Sequence, residues 1–175
     1  MTAIHRLCLV AALVFTACED RAPLEKACDA GDTAACVALG DMFVKGLGGS
    51  MNKRKADEVL GRACDAGDAA ACAFGGAVAY ARDDAESRRL LLRACRLGRQ
   101  RSCVDAAWML RHGEGGDADE AEADALLSAA CRKGETDGCF FLGLEREARD
   151  ARDAAEPFDR ACALGDPVAC GRRTP

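Results

Sequence analysis

Aromatic residues make up only 5% of this 175-residue chain, with a single Trp and a single Tyr. A core must therefore be assembled from Ala, Leu, Val and Cys, a set that suits closely packed helices better than sheets. Histidine is scarcer still, with His5 near the start and His112 beyond it. So little imidazole leaves little material for a histidine metal centre or a nucleophile–base pair. Long hydrophobic runs are missing too. The most apolar stretch, Leu7 to Phe15, falls far short of the roughly 20 residues a membrane-spanning helix takes. Positive charge is not in excess: the net charge is −5 with 30% of residues charged, so nothing global points to nucleic acid. No Cys-x2-Cys pair occurs, which argues against a redox-active dithiol.

What the chain has in abundance is cysteine. Twelve, evenly distributed, suggest an oxidising compartment. At the N-terminus His5-Arg6 precede the short apolar run, an order expected of a targeting segment. The run closes in Phe15-Thr16-Ala17-Cys18, which resembles the lipobox of bacterial lipoproteins. That resemblance implies that Cys18 takes a diacylglycerol and becomes the mature N-terminus, although Phe15 departs from the usual Leu. Residues 1–17 are then a signal peptide, 18–23 a lipidated tether whose residues 19–23 reach at most roughly 17 Å, and 24–175 the folded part. Cys8 leaves with the signal, Cys18 is acylated, and ten cysteines remain.

Those ten are placed by a repeat. Ala27-Cys28-Asp29-Ala30-Gly31-Asp32-Thr33-Ala34-Ala35-Cys36 returns almost verbatim from Ala63 to Cys72, and looser copies surround Cys95/Cys103, Cys131/Cys139 and Cys162/Cys170. In every copy an Ala precedes the first cysteine, a Gly follows it by three and the second cysteine by eight. First cysteines are spaced 36, 31, 36 and 31 residues apart, inside the range that marks a repeat array.

Before each first cysteine, apolar or small residues fall on one helical stripe, as in Ala56, Val59, Leu60 and Ala63, or Ser87, Leu90, Leu91 and Ala94. The following Gly31, Gly67, Gly98, Gly134 and Gly165 predict left-handed helix ends. Asp32, Asp68 and Asp166 then predict N-caps for a second helix; Glu135 is a poorer substitute, and Arg99 is none. Pro157 interrupts the last stripe and predicts a late start or a kink there. Four residues beyond the second cysteine a small residue recurs (Gly40, Gly76, Ala107, Gly143), as if another backbone came close. Glycine-rich loops at 46–49 and 113–116 alternate with tight links and account for the two spacings.

The pattern Ala-x-x-Leu-Gly-x-x-aromatic, read clearly at 35–43, with a Gly-x-Gly loop and a helix ending in Ala-Cys-x-x-Gly, resembles the Sel1-like repeat. The added Cys-x7-Cys is similar to the cysteine-rich secreted (Hcp-type) branch of that family. The resemblance covers residues 24–170 and implies an all-α fold, an α/α solenoid close to tetratricopeptide arrays. In that fold each pair of cysteines joins two antiparallel helices across a tight turn, within reach of a disulfide. The expected bridges are Cys28–Cys36, Cys64–Cys72, Cys95–Cys103, Cys131–Cys139 and Cys162–Cys170. Zinc is the alternative use of paired cysteines, but the pairs are strung out rather than convergent. No metal and no cofactor is expected.

Candidate chemistry is thin. His112 beside Gly113-Glu114-Gly115-Gly116 reads as a helix-end residue near the negative end of the dipole. Ser50-Met51-Asn52-Lys53 spells S-x-x-K without its partner motifs. It matters because some members of the resembled family carry a β-lactamase label, which makes penicillin binding or β-lactam hydrolysis the rival function. The acidic run Asp117, Asp119, Glu120, Glu122, Asp124 reads as a solvated helix start. Arg89, Arg93 and Arg96 share one helix face, with Arg88, Arg99 and Arg101 nearby, and form a candidate docking face for an acidic partner or glycan. The expected function is binding rather than turnover: an interaction scaffold, held in a bacterial envelope through a lipid anchor or secreted, with a protein or peptidoglycan-related partner.

Overall fold

A computed structural model describes residues 20–80 and 82–172. Among them every regular element is helical: α1 (Ala22–Asp29), α2 (Thr33–Lys45), α3 (Lys53–Asp65), α4 (Ala69–Ala79), α5 (Asp84–Arg96), α6 (Gln100–His112), α7 (Glu120–Arg132), α8 (Thr136–Arg149), a 3-10 turn (Ala151–Ala154), α9 (Ala155–Ala163) and α10 (Pro167–Gly171). They divide into two compact units, one ending at Val78 and the other starting at Ala79. The proposed signal and Cys18 lie outside the described residues.

Each hairpin is built on one turn, used five times. Gly31, Gly67, Gly98, Gly134 and Gly165 all have φ between +87° and +100°, a conformation glycine alone adopts without cost. The N–H after each glycine reaches back to the carbonyl of the Ala that precedes the cysteine, as in Asp32 to Ala27 at 3.1 Å and Glu135 to Ala130 at 3.0 Å. The glycine N–H reaches the cysteine carbonyl. This is a Schellman motif, and it explains why Ala, Cys and Gly recur as a set. Asp32, Asp68 and Asp166 cap the next helix through their side chains, while Arg99 and Glu135 make no side-chain cap. All five Cys-x7-Cys pairs are bridged, with Cα separations of 4.4–4.7 Å, and no described cysteine is free.

In the first unit α1 packs on α2 and α2 on α3, around Cys28, Cys36, Leu39, Phe43 and Leu60. In the second, α6 contacts α7 and also α8, and α7 contacts α8 and also α9. Its core runs through Val104, Leu110, Leu127, Leu142 and Phe158. At Gly40 and Gly143 the small residue makes room for a side chain rather than a backbone. A Cβ on Gly40 would stand 2.7 Å from Leu60, and one on Gly143 would stand 2.6 Å from the Phe158 ring.

Two local features depart from the periodic reading. Helix α1 starts at Ala22, ahead of the expected Leu24, because Pro23 is tolerated in a first turn whose N–H groups lack partners anyway. Pro157 likewise sits in a first turn. The chain before it forms a 3-10 turn, and the α-helix proper begins only at Ala155, so the expected late start occurs and no interior bond is lost.

The glycine loops at 46–49 and 113–116 follow one φ pattern, each under an arginine seven residues before a first cysteine. Arg21 donates to the carbonyls of Leu47, Met42 and Ser50, and Arg88 donates to that of Asp117 at 2.9 Å. Gly115 passes so close to the Asp84 backbone that a Cβ would lie 2.2 Å from its carbonyl oxygen.

A groove walled by the lone tryptophan

Trp108 is 51% exposed, although a core this short of aromatic bulk would gain most from burying it. Helical spacing puts Arg101, Val104, Asp105, Trp108 and Arg111 along one side of α6. Phe141 and Glu145 face them from α8, and Leu127 closes the floor from α7. Together they form a groove of about 210 Å³, smaller than the roughly 300–1,000 Å³ of pockets that enclose small molecules. It has the size of one side chain. The floor is apolar, and a charged group sits at either end.

At one end Arg101 reaches Asp105 at 3.4 Å on its own helix and Asp137 on α8. At the other, Arg111 is held between Asp124 at 2.6 Å and Glu145 at 2.8 Å, and Arg149 also binds Asp124. Burial pushes the Asp105 carboxyl above its ordinary range, against the pull of Arg101. Trp108 stacks on His112 with ring centroids 3.9 Å apart, and His112 Nδ1 lies 2.8 Å from the Trp108 carbonyl oxygen. The chain's one tyrosine, Tyr80, is also at the surface, at 47% exposure. A hydrogen bond to Glu114 pushes its hydroxyl pKa up.

Sequence reasoning passed over this groove, yet a signal was available. Sixty-seven residues separate Cys28 from Cys95, Cys64 from Cys131 and Cys95 from Cys162. At that offset the packing positions agree: Val37 with Val104, Met42 with Met109, Leu60 with Leu127, Phe74 with Phe141. The groove's polar wall does not. Arg101, Asp105, Trp108, Arg111 and Glu145 stand where the first unit has Ala34, Ala38, Asp41, Val44 and Val78.

The other residues singled out by sequence fall elsewhere. Arg89 forms a two-pronged ion pair with Glu86 at 2.7 Å, and Arg96 turns its Nε to the Leu92 carbonyl. Arg93 is half-buried. It occupies the repeat position of Arg62 and Arg160, which donate to the carbonyls of Cys28 and Arg132 in the preceding repeats. Asp119 caps α7 through the Glu122 N–H, whereas Asp124 serves the groove. Ser50 is exposed two residues ahead of the cap Asn52, outside α3, and Lys53 opens that helix; the two do not share a helical turn. Among the described residues no group of His, Cys, Asp and Glu side chains is arranged to hold a metal ion.

No protein-family model matches the sequence, and no curated protein does. Solved structures do match. A Sel1 repeat protein from Oxalobacter formigenes superposes with a TM-score of 0.74 at 20% identity, over 86% of this chain and 66% of its own. The fold is that of Sel1 repeat proteins. A protective antigen of uropathogenic Escherichia coli, described as displaying an SLR fold, gives 0.73 at 20% identity over 85% of this chain. Cysteine-rich protein B of Helicobacter pylori gives 0.52 at 25% identity, over 66% of this chain and 95% of that one. The chain spans only 34% of the E. coli antigen. What these likenesses share with this chain is the helical repeat fold.

Proposed function

We propose that the protein is an interaction scaffold whose second unit seats one side chain of a partner polypeptide in the Trp108 groove. The observation that carries this reading is the half-exposed lone tryptophan. It is faced by Phe141 and flanked by two arginines, and Arg101, Trp108 and Arg111 stand at repeat positions where the first unit has Ala34, Asp41 and Val44. Trp and Arg are enriched in binding hot spots, where a large side chain with a polar handle is desolvated in a packed pocket. The Arg101 and Arg111 clusters at the groove ends would fix the direction of the partner's chain. The Arg89/Arg93/Arg96 side of α5 contributes no residue to the groove, and Glu86 already engages Arg89. Five disulfides fit a place outside the reducing cytoplasm, and the lipobox-like Cys18 supports anchoring in a bacterial envelope. A protein or peptidoglycan-linked peptide there is the partner class we assign.

The test is a photo-crosslinking amino acid at Trp108 in the producing cell, with the captured species identified by mass. Trp108→Ala should then weaken binding of that species by about 2 kcal/mol or more, the hot-spot threshold, with helix content unchanged. An interaction indifferent to Trp108→Ala and Phe141→Ala would overturn the assignment.

A further inference from the structure

The five Schellman turns share one backbone but differ sharply in what they present. In the first unit they read Asp29-Ala30-Gly31-Asp32 and Asp65-Ala66-Gly67-Asp68; in the second, Arg96-Leu97-Gly98-Arg99, Arg132-Lys133-Gly134-Glu135 and Ala163-Leu164-Gly165-Asp166. The second unit's turns lie side by side. Arg101, just past the first of them, is ion-paired with Asp137, just past the second. Arg160, just before the third, donates to the carbonyl of Arg132 at 3.0 Å.

Arg96, Arg99, Arg132 and Lys133 are all exposed, and none forms an ion pair among the described residues. Of the acids in or beside the turns, Glu135 makes no side-chain cap, and Asp105 feels the charge of Arg99 as well as that of its partner Arg101. Asp137 holds Arg101, and Asp166 accepts from the Val168 and Ala169 N–H groups. Leu97, between Arg96 and Arg99, and Leu164, at the tip of the third turn, are each 42% exposed. The attraction of cations to helix C-termini does not explain the set, because the equivalent helix ends of the first unit carry Asp29 and Asp65. In a protein of net charge −5, four exposed cations on two adjacent turns, with an exposed leucine at the tip of the first turn and of the third, form a local surface opposite in sign to the whole.

We infer that this turn edge docks on an anionic lipid bilayer, with Arg96, Arg99, Arg132 and Lys133 on the headgroups and Leu97 and Leu164 at the acyl boundary. Cations alone would serve an acidic protein equally well. The leucines at the turn tips favour a membrane, where apolar residues beside basic ones gain from shallow insertion while the charges meet anionic headgroups.

The experiment uses the oxidised protein as isolated, with sedimentation against vesicles of phosphatidylcholine alone and of phosphatidylcholine mixed with phosphatidylglycerol. A lipid anchor contributes to both, so the difference between them isolates the edge. Anionic vesicles should be preferred, less so as salt rises. Charge reversal of all four cations should abolish the preference, each cation being worth roughly fivefold. Replacing the three arginines with lysine should keep it. Leu97→Ala with Leu164→Ala should weaken binding but leave its salt dependence. Circular dichroism and disulfide mapping verify that the variants fold, and Arg89→Ala serves as a control that changes nothing. Equal binding to both vesicles, or a preference that survives charge reversal, would overturn the inference. So would capture by polyglutamate with no capture by anionic vesicles, which would make the edge a site for acidic protein.

Discussion

Positions 41 and 108 are the same place in a chain that repeats every 67 residues, yet one holds Asp and the other Trp. Neither side chain is needed to close a helix hairpin, so such positions can diverge while the cysteines, alanines and glycines around them cannot. Asp105 shows the cost of that divergence. Burial raises its pKa, so the ionised carboxylate is disfavoured in the folded state. Its contribution is favourable below the unfolded pKa and is lost as pH rises through the folded one. Asp105→Asn should therefore raise the thermal midpoint at neutral pH, and the gain should shrink in acid; a loss at both pH values would refute this. Asp68 carries the opposite sign. The Ala71 N–H, and after it Thr33, hold its pKa below the ordinary 3.8, so it stabilises above that value and the effect fades as pH falls through the lowered pKa. Asp68→Ala should cost about 1 kcal/mol at pH 7, with the difference closing in strong acid.

At the scale of the helix and its hairpin, most of the architecture was legible because each signal obeys a local rule. A Gly three after Cys closes a Schellman turn, and an Asp after that Gly caps the next helix. The stripe before Cys gives the buried face. The groove was harder to read because its walls come from α6 and α8, which start at Gln100 and Thr136, and no local rule joins Trp108 to Phe141. Two helix glycines give a paired test of what packing demands. Gly143→Ala drives a methyl into the Phe158 ring, which is rigid and buried, and should cost about 1–3 kcal/mol. Gly61→Ala, inside α3 with nothing within 4 Å of the added Cβ, should stabilise by roughly 0.5–1 kcal/mol. Denaturant midpoints of the two variants should move in opposite directions, and a shift in the same direction would contradict the packing described.

For the whole molecule, the shortage of aromatic bulk places unusual weight on the disulfides. The buried core is made mainly of Ala, Leu and Cys, residues of modest area, and each hairpin packs chiefly on its chain neighbours. Such arrays derive stability from summed local interfaces rather than one large core. Each bridge spans eight residues of sequence, and constraining so short a loop in the unfolded chain contributes about 2.5 kcal/mol on the chain-entropy estimate. The first unit carries two bridges and the second three. Full reduction would therefore remove up to about 12 kcal/mol, as much as the entire net stability of an ordinary domain. We expect the reduced protein to lose most of its helical circular dichroism at 25 °C, and reoxidation to restore it together with the same five links on peptide mapping. Replacing one pair, Cys162 and Cys170, by serine should act differently. It should lower the denaturant midpoint while leaving the α6–α8 groove and its Trp108 emission intact, because α10 lies at the edge of its unit and contacts chiefly α9. If the fully reduced chain keeps its helix content and midpoint, the turns and the Ala-lined interfaces suffice without the bridges, and the cysteines would need another explanation.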